Sequence, residues 1–511
     1  MGEKKRIAWN MLANIFVFFI NLLISFILTP YVTAHVGKEV YGFVSLAFQF
    51  TGYMSLIMTA LNGMAGRFML IEYSKGNYEK ASSYFSSVII GNAIFSVVVF
   101  VPSIVLIAFL DVFLKVPVEH LNDIKLLWAF IFANFIFSMA FNVYGNATYI
   151  ANRLDLSAMR SLENKVLYAI ILFICFSLFD AKVWFIGFAN FLCGFYLIFT
   201  NIYYTRKLTS NLHFNKKLAS MDAAWDLIKA GIWNMIQQMA YILINGCDMV
   251  ISNIYINSMS MTLMGFAKTI PVYIMSIIGI VCGAFAPQMT MIYAKGDMKE
   301  FTTYTKSAIK VCGFICSVPI LGFIVFGTNF FQLWLPTLDA PEIMVVQILS
   351  IMILTQTVFD VYIYPLYTVN QITTRLKVPV LVSLGIGVVN IWGSIILCRY
   401  TDLGVFAIQI VSSILLTARV FFFAPIWAAY TLKQKWYTFY GSLFRGTFSS
   451  IILLLLFGTI RYFIDIHSWL GLIIIAIPCG FLGYVVNYFI VLSKCDRKLL
   501  REIIKRKLRK S

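Results

Sequence analysis

Fourteen apolar stretches, each long enough to cross a bilayer, divide this chain between about residue 9 and residue 492. A spanning helix needs about 20 predominantly apolar residues, because the hydrocarbon core is about 30 Å thick and an α-helix rises about 1.5 Å per residue. The stretches lie at about 9–34, 41–72, 83–112, 124–151, 163–180, 182–206 and 225–256, then 262–293, 305–331, 343–370, 378–399, 403–430, 439–463 and 468–492. Lipid offers backbone groups no hydrogen bonds, so each stretch must close its own as a helix. The expected class is an all-α polytopic membrane protein of about 14 transmembrane helices. Composition agrees: 12% of the 511 residues are charged, against about 25% in soluble domains. The connections are too short to hold a soluble domain.

The net charge of +18 raises the question of nucleic acid, and its distribution points to the lipid bilayer instead. With the N-terminus placed in the cytoplasm, 31 of the 40 Lys and Arg fall in inner segments, among them Arg153, Arg160 and Lys165 after the fourth span. Only Lys38, Lys115, Lys182, Arg399 and Arg461 fall outside. Such an excess sets orientation, so both termini are expected in the cytoplasm. The first span is read as uncleaved. Residues 493–511 place Leu499, Leu500, Ile503, Ile504 and Leu508 at helical spacing among basic residues. That pattern suits a basic amphipathic tail on the cytoplasmic leaflet.

A dodecamer recurs. YSKGNYEKASSY, from Tyr73 to Tyr84, returns as YAKGDMKEFTTY, from Tyr293 to Tyr304. Trp9-Asn10-Met11 and Ile20-Asn21 return with the same internal spacing as Trp233-Asn234-Met235 and Ile244-Asn245. Gly63 faces Gly283. The chain therefore reads as two homologous six-helix halves, 1–206 and 225–430, joined by a cytoplasmic linker at 207–224. Two further helices follow within 431–492, then the tail. An even helix count gives both halves the same orientation, a plan of alternating-access transporters. Within the dodecamers, Gly76 and Gly296 fit helix C-caps, and Lys75 and Lys295 fit the negative end of a helix dipole.

The chemistry-bearing motifs are few. Cys312 and Cys316 share a helix face, but no His or further Cys joins them at zinc spacing, so no metal site is expected. No nucleotide cradle is present, and no cofactor is called for. A membrane enzyme needs acidic or basic catalytic groups in sizeable outer loops. The outer loops here are short, so the chain does not read as an enzyme.

The segment VGKEVYGFVSLAFQFTGYMSLIMTALNGMAGRFMLIEYSKGN carries Gly37, Tyr41-Gly42, a small-residue break at Asn62-Gly63, and Arg67. It resembles the second-helix region of bacterial oligosaccharide flippases of the Wzx type, which belong with MATE drug exporters and lipid II flippases. The resemblance spans roughly residues 1–430. It implies two bundles, an N-lobe and a C-lobe, in a V-shaped alternating-access arrangement. It also implies transport of undecaprenyl-pyrophosphate-linked oligosaccharide to the outer leaflet, with a polysaccharide polymerase and export machinery as partners. The alternative is a MATE-like drug or cation antiporter. That reading favours an acidic cavity, and the first span has no Asp or Glu between Ile7 and Tyr31.

Ionisable groups inside spans are the strongest pointers to a site, since each costs about 2.5–3.5 kcal/mol at a helix centre on insertion scales. Arg419 and Asp360 fit either a structural pair or a cavity cation with a coupling carboxylate. Asp248 fits a coupling-ion ligand or a cap for a polar cluster with Asn245 and Asn253. Lys268 and Arg67 fit pyrophosphate contacts or snorkelling side chains. Asn10 and Asn234 fit sugar contacts or bonds between helices. Gly63 in the second span, and Pro271, Gly283 and Pro287 in the eighth, fit hinges or close helix packing.

Overall fold

The computed structural model describes residues 3–493, 496 and 497, with backbone alone for 3–8 and 11. Most of the expected tail lies outside the described residues. Among the described residues there is no strand, and fourteen helices are long and apolar enough to cross a membrane. They are α1 Glu3–Val36, α2 Lys38–Ser74, α3 Tyr78–Ala108, α4 Val118–Ile150, α5 Leu154–Leu178, α6 Trp184–Leu208 and α7 Met221–Ile256. They continue as α8 Ser258–Ala294, α9 Met298–Trp334, α10 Ala340–Ile372, α11 Lys377–Tyr400, α12 Phe406–Thr431, α13 Tyr440–Tyr462 and α14 Trp469–Ile490. The count and class match the sequence expectation.

Several helices begin earlier than hydropathy suggests. α3 starts at Tyr78 and α9 at Met298. The largest shift is in α5, which starts at Leu154, so Arg160 and Lys165 belong to a spanning helix rather than to an inner loop. Apolarity and helicity have different causes. Backbone hydrogen bonding carries a helix through charged residues until a cap or a breaker stops it.

The dodecamers show how such stops work. Gly76 and Gly296 adopt φ of 78° and 80°, a left-handed conformation that glycine reaches without a Cβ clash. Asn77 N donates to Glu72 O at 3.0 Å and Gly76 N to Tyr73 O at 3.1 Å, closing the last turn of α2 in the Schellman manner. The next helix starts at once. Asn77 Oδ1 accepts from Lys80 N at 3.2 Å. Asp297 Oδ1 accepts from Lys299 N at 3.0 Å and Glu300 N at 2.8 Å. The repeated dodecamer is thus a helix stop followed by an N-cap, a corner that the sequence writes twice.

By their contacts the helices form two compact units. The first comprises residues up to Thr262 together with Ser383–Val388. Inside it α4 packs on α6, α1 on α5, and α7 on α2. The α2–α7 contact is close: a Cβ at Gly231 would overlap the Ala60 carbonyl. Leu227, Met69 and Phe85 fill the core nearby.

The second unit comprises Leu263–Val382 and the chain from Val389 on. Here α9 packs on α10, α13 and α14. Asn487 of α14 is fully buried and joins three helices. It donates to Phe314 O at 3.2 Å and Ser317 Oγ at 2.9 Å on α9, and accepts from Ser449 Oγ of α13 at 2.6 Å. Asn487→Leu is expected to loosen α13 and α14 by about 1 kcal/mol, the scale of such bonds in membranes. A lowered melting temperature of the solubilised chain is the readout, and an unchanged one contradicts the anchoring role.

Asp496 ties the end of the described chain to α9. Its carboxylate accepts from Lys310 Nζ at 2.5 Å, Ser307 Oγ at 2.8 Å and Ser493 N at 3.0 Å. Burial alone would raise its pKa, but the hydrogen bonds from Lys310, Ser493 and Ser307 and the Lys310 charge outweigh burial and hold it below the usual range. A depressed carboxylate stabilises the fold above its unfolded value of about 3.9, and that contribution fades as pH falls through the folded value. The tether should therefore be constant across neutral pH and weaken only below about pH 4. Limited proteolysis beyond Val491 checks this: cleavage is expected to rise in acid, and Asp496→Asn to raise it at neutral pH too.

Candidate functional site

Helix breaks position much of the polar chemistry. α2 is interrupted at Gly63-Met64, between helical segments Lys38–Asn62 and Ala65–Ser74. α8 is interrupted after Gly283, between Ser258–Gly283 and Ala286–Ala294. Pro287 lies in the first turn of that second segment, where a missing N–H costs nothing. Pro271 sits inside the unbroken first segment, so Gly283 and Pro287 flank the break and Pro271 does not.

In the first unit, a broken helix and its neighbours carry three of the expected residues. Arg67 is exposed, and among the described residues it has no ion-pair partner. It lies in the first turn of the segment Ala65–Ser74, just after the break. Asn234 of α7 lies against Gly63, with its Nδ2 3.4 Å from where a glycine Cβ would stand. Asn10, by contrast, is buried and committed to the protein. It donates to Asn152 O and Oδ1, both at 3.2 Å, and accepts from Asp155 N at 3.1 Å.

Asp248 is 2% exposed. It opens a short helix, Asp248–Ile251, after an interruption of α7 at Gly246-Cys247. Tyr53 of α2 donates to the Gly246 carbonyl just before it. α7 then ends in a π-turn, Ser252–Ile256. On this face, where α1, α3 and α7 end, further bonds gather. Lys115 N donates to Asn253 Oδ1 at 2.8 Å, and Lys115 Nζ donates to Ile256 O at 2.8 Å. Ser258 donates to Glu39 Oε1, and Thr262 Oγ1 donates to Glu39 O at 3.3 Å.

In the second unit, Asp360 of α10 and Arg419 of α12 meet. Arg419 Nη2 stands 3.6 Å from Asp360 Oδ1, with the side chains 16% and 13% exposed. Tyr367 joins them. Its hydroxyl donates to Asp360 Oδ1 at 3.3 Å, and its ring centroid is 5.5 Å from Arg419 Cζ. Arg419 Nε is buried without a hydrogen-bond partner. Arg419 also opens a π-turn, Arg419–Phe423. Such turns disrupt the helical ladder and often mark functional sites. Tyr440 of α13 donates to the carbonyl of Phe421 within it. Lys268 is half-buried in α8.

One group escaped the sequence reading. Lys165 stands eleven residues into α5, about 16 Å along a helix of this rise. It is half-buried. Among the described residues no carboxylate lies within ion-pair distance of it. Its ammonium lies 5.3 Å from the Tyr168 ring centroid, beside Cys193 of α6. Arg160, one turn earlier, is 4% exposed but committed. Its Nη1 donates to Asn201 Oδ1, Nε to Leu156 O at 3.2 Å and Nη2 to Thr148 Oγ1 at 3.4 Å. Its guanidinium lies 4.9 Å from the Tyr204 ring centroid. Counting Arg160 and Lys165 with the inner-segment cations hid both, although Lys165 already falls within the fifth apolar stretch. The absence of any Gly or Pro between Leu154 and Leu178 was the signal that one helix carries them.

Residues 5–293 match the family described as polysaccharide biosynthesis protein. The uncharacterized membrane protein EpsK of Bacillus subtilis (strain 168) is 25% identical over 496 residues, covering 96% of each chain. Among solved structures, the lipid II flippase MurJ in an inward closed conformation superposes with a TM-score of 0.68 at 16% identity, over 94% of this chain and 97% of that one. A multidrug resistance MATE family transporter in an inward-facing conformation gives 0.63 at 14% identity, over 83% and 99%. These structural likenesses establish a shared fold.

Proposed function

Because the chain belongs to the polysaccharide biosynthesis protein family, we propose that it is a flippase moving undecaprenyl-pyrophosphate-linked oligosaccharide from the cytoplasmic to the outer leaflet. The observation that carries this reading is a cation without a carboxylate in α5, together with a first span that lacks acidic residues. Lys165 lies deep in α5 with no carboxylate to pair with among the described residues, and α1 has no Asp or Glu between Ile7 and Tyr31. A pocket built to export cations needs the opposite sign. An uncompensated ammonium at membrane depth suits an anionic cargo.

Arg67, Lys268 and Arg419 are the further cations offered to the pyrophosphate, and Asn234 is the amide for sugar hydroxyls, since Asn10 is already bonded to Asn152 and Asp155. Asp248 and Asp360 are the carboxylates for a coupling ion. The repeat halves 1–206 and 225–430 rock about the breaks near Gly63 and Gly283, with Pro287 and Pro271 stiffening α8. Both ends face the cytoplasm of a bacterial cell membrane, as the Lys and Arg distribution requires. An outward-moving anionic headgroup gains about 2.3 kcal/mol per charge per 100 mV from an inside-negative potential. A polymerase and other export components receive the product.

Native mass spectrometry of the purified chain with undecaprenyl-pyrophosphate sugars and a panel of cationic dyes tests this reading. Saturable binding of the lipid-linked sugar is expected. Binding of dyes with no response to the lipid-linked sugar overturns the flippase and favours a drug or cation antiporter.

A further inference from the structure

Lys165 belongs to a stripe rather than standing alone. Ser161, Lys165 and Tyr168 follow one another at four- and three-residue spacing, and Asn164 lies between them on the same face. The stripe meets α1 at Asn21, whose Nδ2 donates to Ser161 Oγ at 3.3 Å. The helix that carries it packs against α6.

The stripe is incomplete in a specific way. The Oδ1 atoms of Asn21 and Asn164 are buried, and neither accepts a hydrogen bond. The Lys165 ammonium on the same stripe has no carboxylate within ion-pair distance among the described residues. Glu163, the nearest acidic residue in sequence, points elsewhere: its Oε2 accepts from the Tyr196 hydroxyl at 2.6 Å. Two orphan acceptors beside an uncompensated cation, deep in a membrane helix, are costly unless something brings both donors and negative charge. A hydroxyl-rich anion supplies both.

We propose that the α1–α5–α6 seam of the first unit is a glycosyl phosphate subsite. Lys165 holds a phosphoryl oxygen, and sugar hydroxyls donate to Asn21 Oδ1 and Asn164 Oδ1. Tyr168 offers an aromatic wall beside the ammonium. Arg160 does not take part, since its donors are used in fixing the ends of α4 and α6. This rests on the flippase reading and locates the headgroup at Lys165 and Asn164, which the sequence did not single out, beside Asn21.

The test uses the full chain in nanodiscs, with Lys165→Met, Lys165→Arg and Asn164→Ala beside the wild type. The probes are undecaprenyl pyrophosphate bearing one N-acetylhexosamine, bare undecaprenyl pyrophosphate, and phosphatidylglycerol. Lys165→Met is expected to weaken the sugar-bearing lipid at least tenfold without lowering the unliganded melting temperature, because it removes an unpaired charge. Lys165→Arg is expected to retain most of the binding. Asn164→Ala is expected to weaken the sugar-bearing lipid several-fold and leave bare undecaprenyl pyrophosphate unchanged.

If Lys165→Met and Asn164→Ala bind as the wild type does, the subsite is overturned while the flippase reading stands. If Lys165→Met weakens phosphatidylglycerol as much as the lipid-linked sugar, the stripe is a general anionic-lipid site and the glycosyl assignment is overturned. If the wild type binds no lipid-linked sugar, the flippase reading itself falls.

Discussion

Asp360→Asn lowers the stability of the solubilised protein by about 3–5 kcal/mol, the scale seen when one partner of a buried ion pair is removed. Arg419 is then left 16% exposed, with its Nε already unpartnered and only the Tyr367 ring to face. Arg419→Met carries a similar cost, because Asp360 keeps a single donor, the Tyr367 hydroxyl. The double variant Asp360→Leu with Arg419→Met regains most of the loss, since neither charge then needs desolvating. Thermal melts of the three variants check the pattern. A double variant no more stable than the singles contradicts it. Transport is the second readout. The stable double variant is expected to lose more than tenfold in flipping rate, as a coupling site requires. Wild-type transport would make the pair a brace between α10 and α12.

Joining α2 to α8 at the face where both begin is expected to stop transport altogether. Their approach there is unusually close. A Cβ on Gly42 would stand 3.0 Å from the Thr262 Cβ, slightly inside the roughly 3.5–4.5 Å of a disulfide. Gly42→Cys with Thr262→Cys should therefore cross-link after small adjustment under a mild oxidant. In the proposed flippase, whose halves 1–206 and 225–430 rock, α2 and α8 have to part at this face. Oxidised double variant in proteoliposomes should show no flipping above background, and a reductant should restore it. The single variants should be indifferent to both reagents. Full transport by the oxidised form would mean that the Glu39–Ser258 and Glu39–Thr262 bonds belong to a permanent joint.

The repeated corner was legible because it is local. Tyr-x-Lys-Gly-Asx holds its own cap and its own next start, and Gly76 and Gly296 take the left-handed conformation that reading required. The Asp360–Arg419 pair was half legible. Two opposite charges deep in an apolar chain must find partners, but which partners depends on how α10 and α12 turn. Asn10 stayed open for the same reason: an amide near a span end suits a sugar or a neighbouring helix, and here Asn152 and the Asp155 amide take it. Lys165 was missed because it was counted with the inner-segment cations, although it falls within the fifth apolar stretch.

The sequence by itself determined the class, the fourteen crossings and the sites of the helix stops. Each follows from an interaction within about twenty consecutive residues: apolar length against bilayer thickness, glycine against a left-handed turn, Asx against a free N–H. Only the tertiary structure decided which charges are spent and which remain for a ligand. Arg160 and Lys165 are five residues apart on one helix. One is consumed by Asn201, Thr148 and the Tyr204 ring, and the other keeps its charge uncompensated. That difference comes from residues 12–44 positions away, brought close by packing, and no local pattern encodes it.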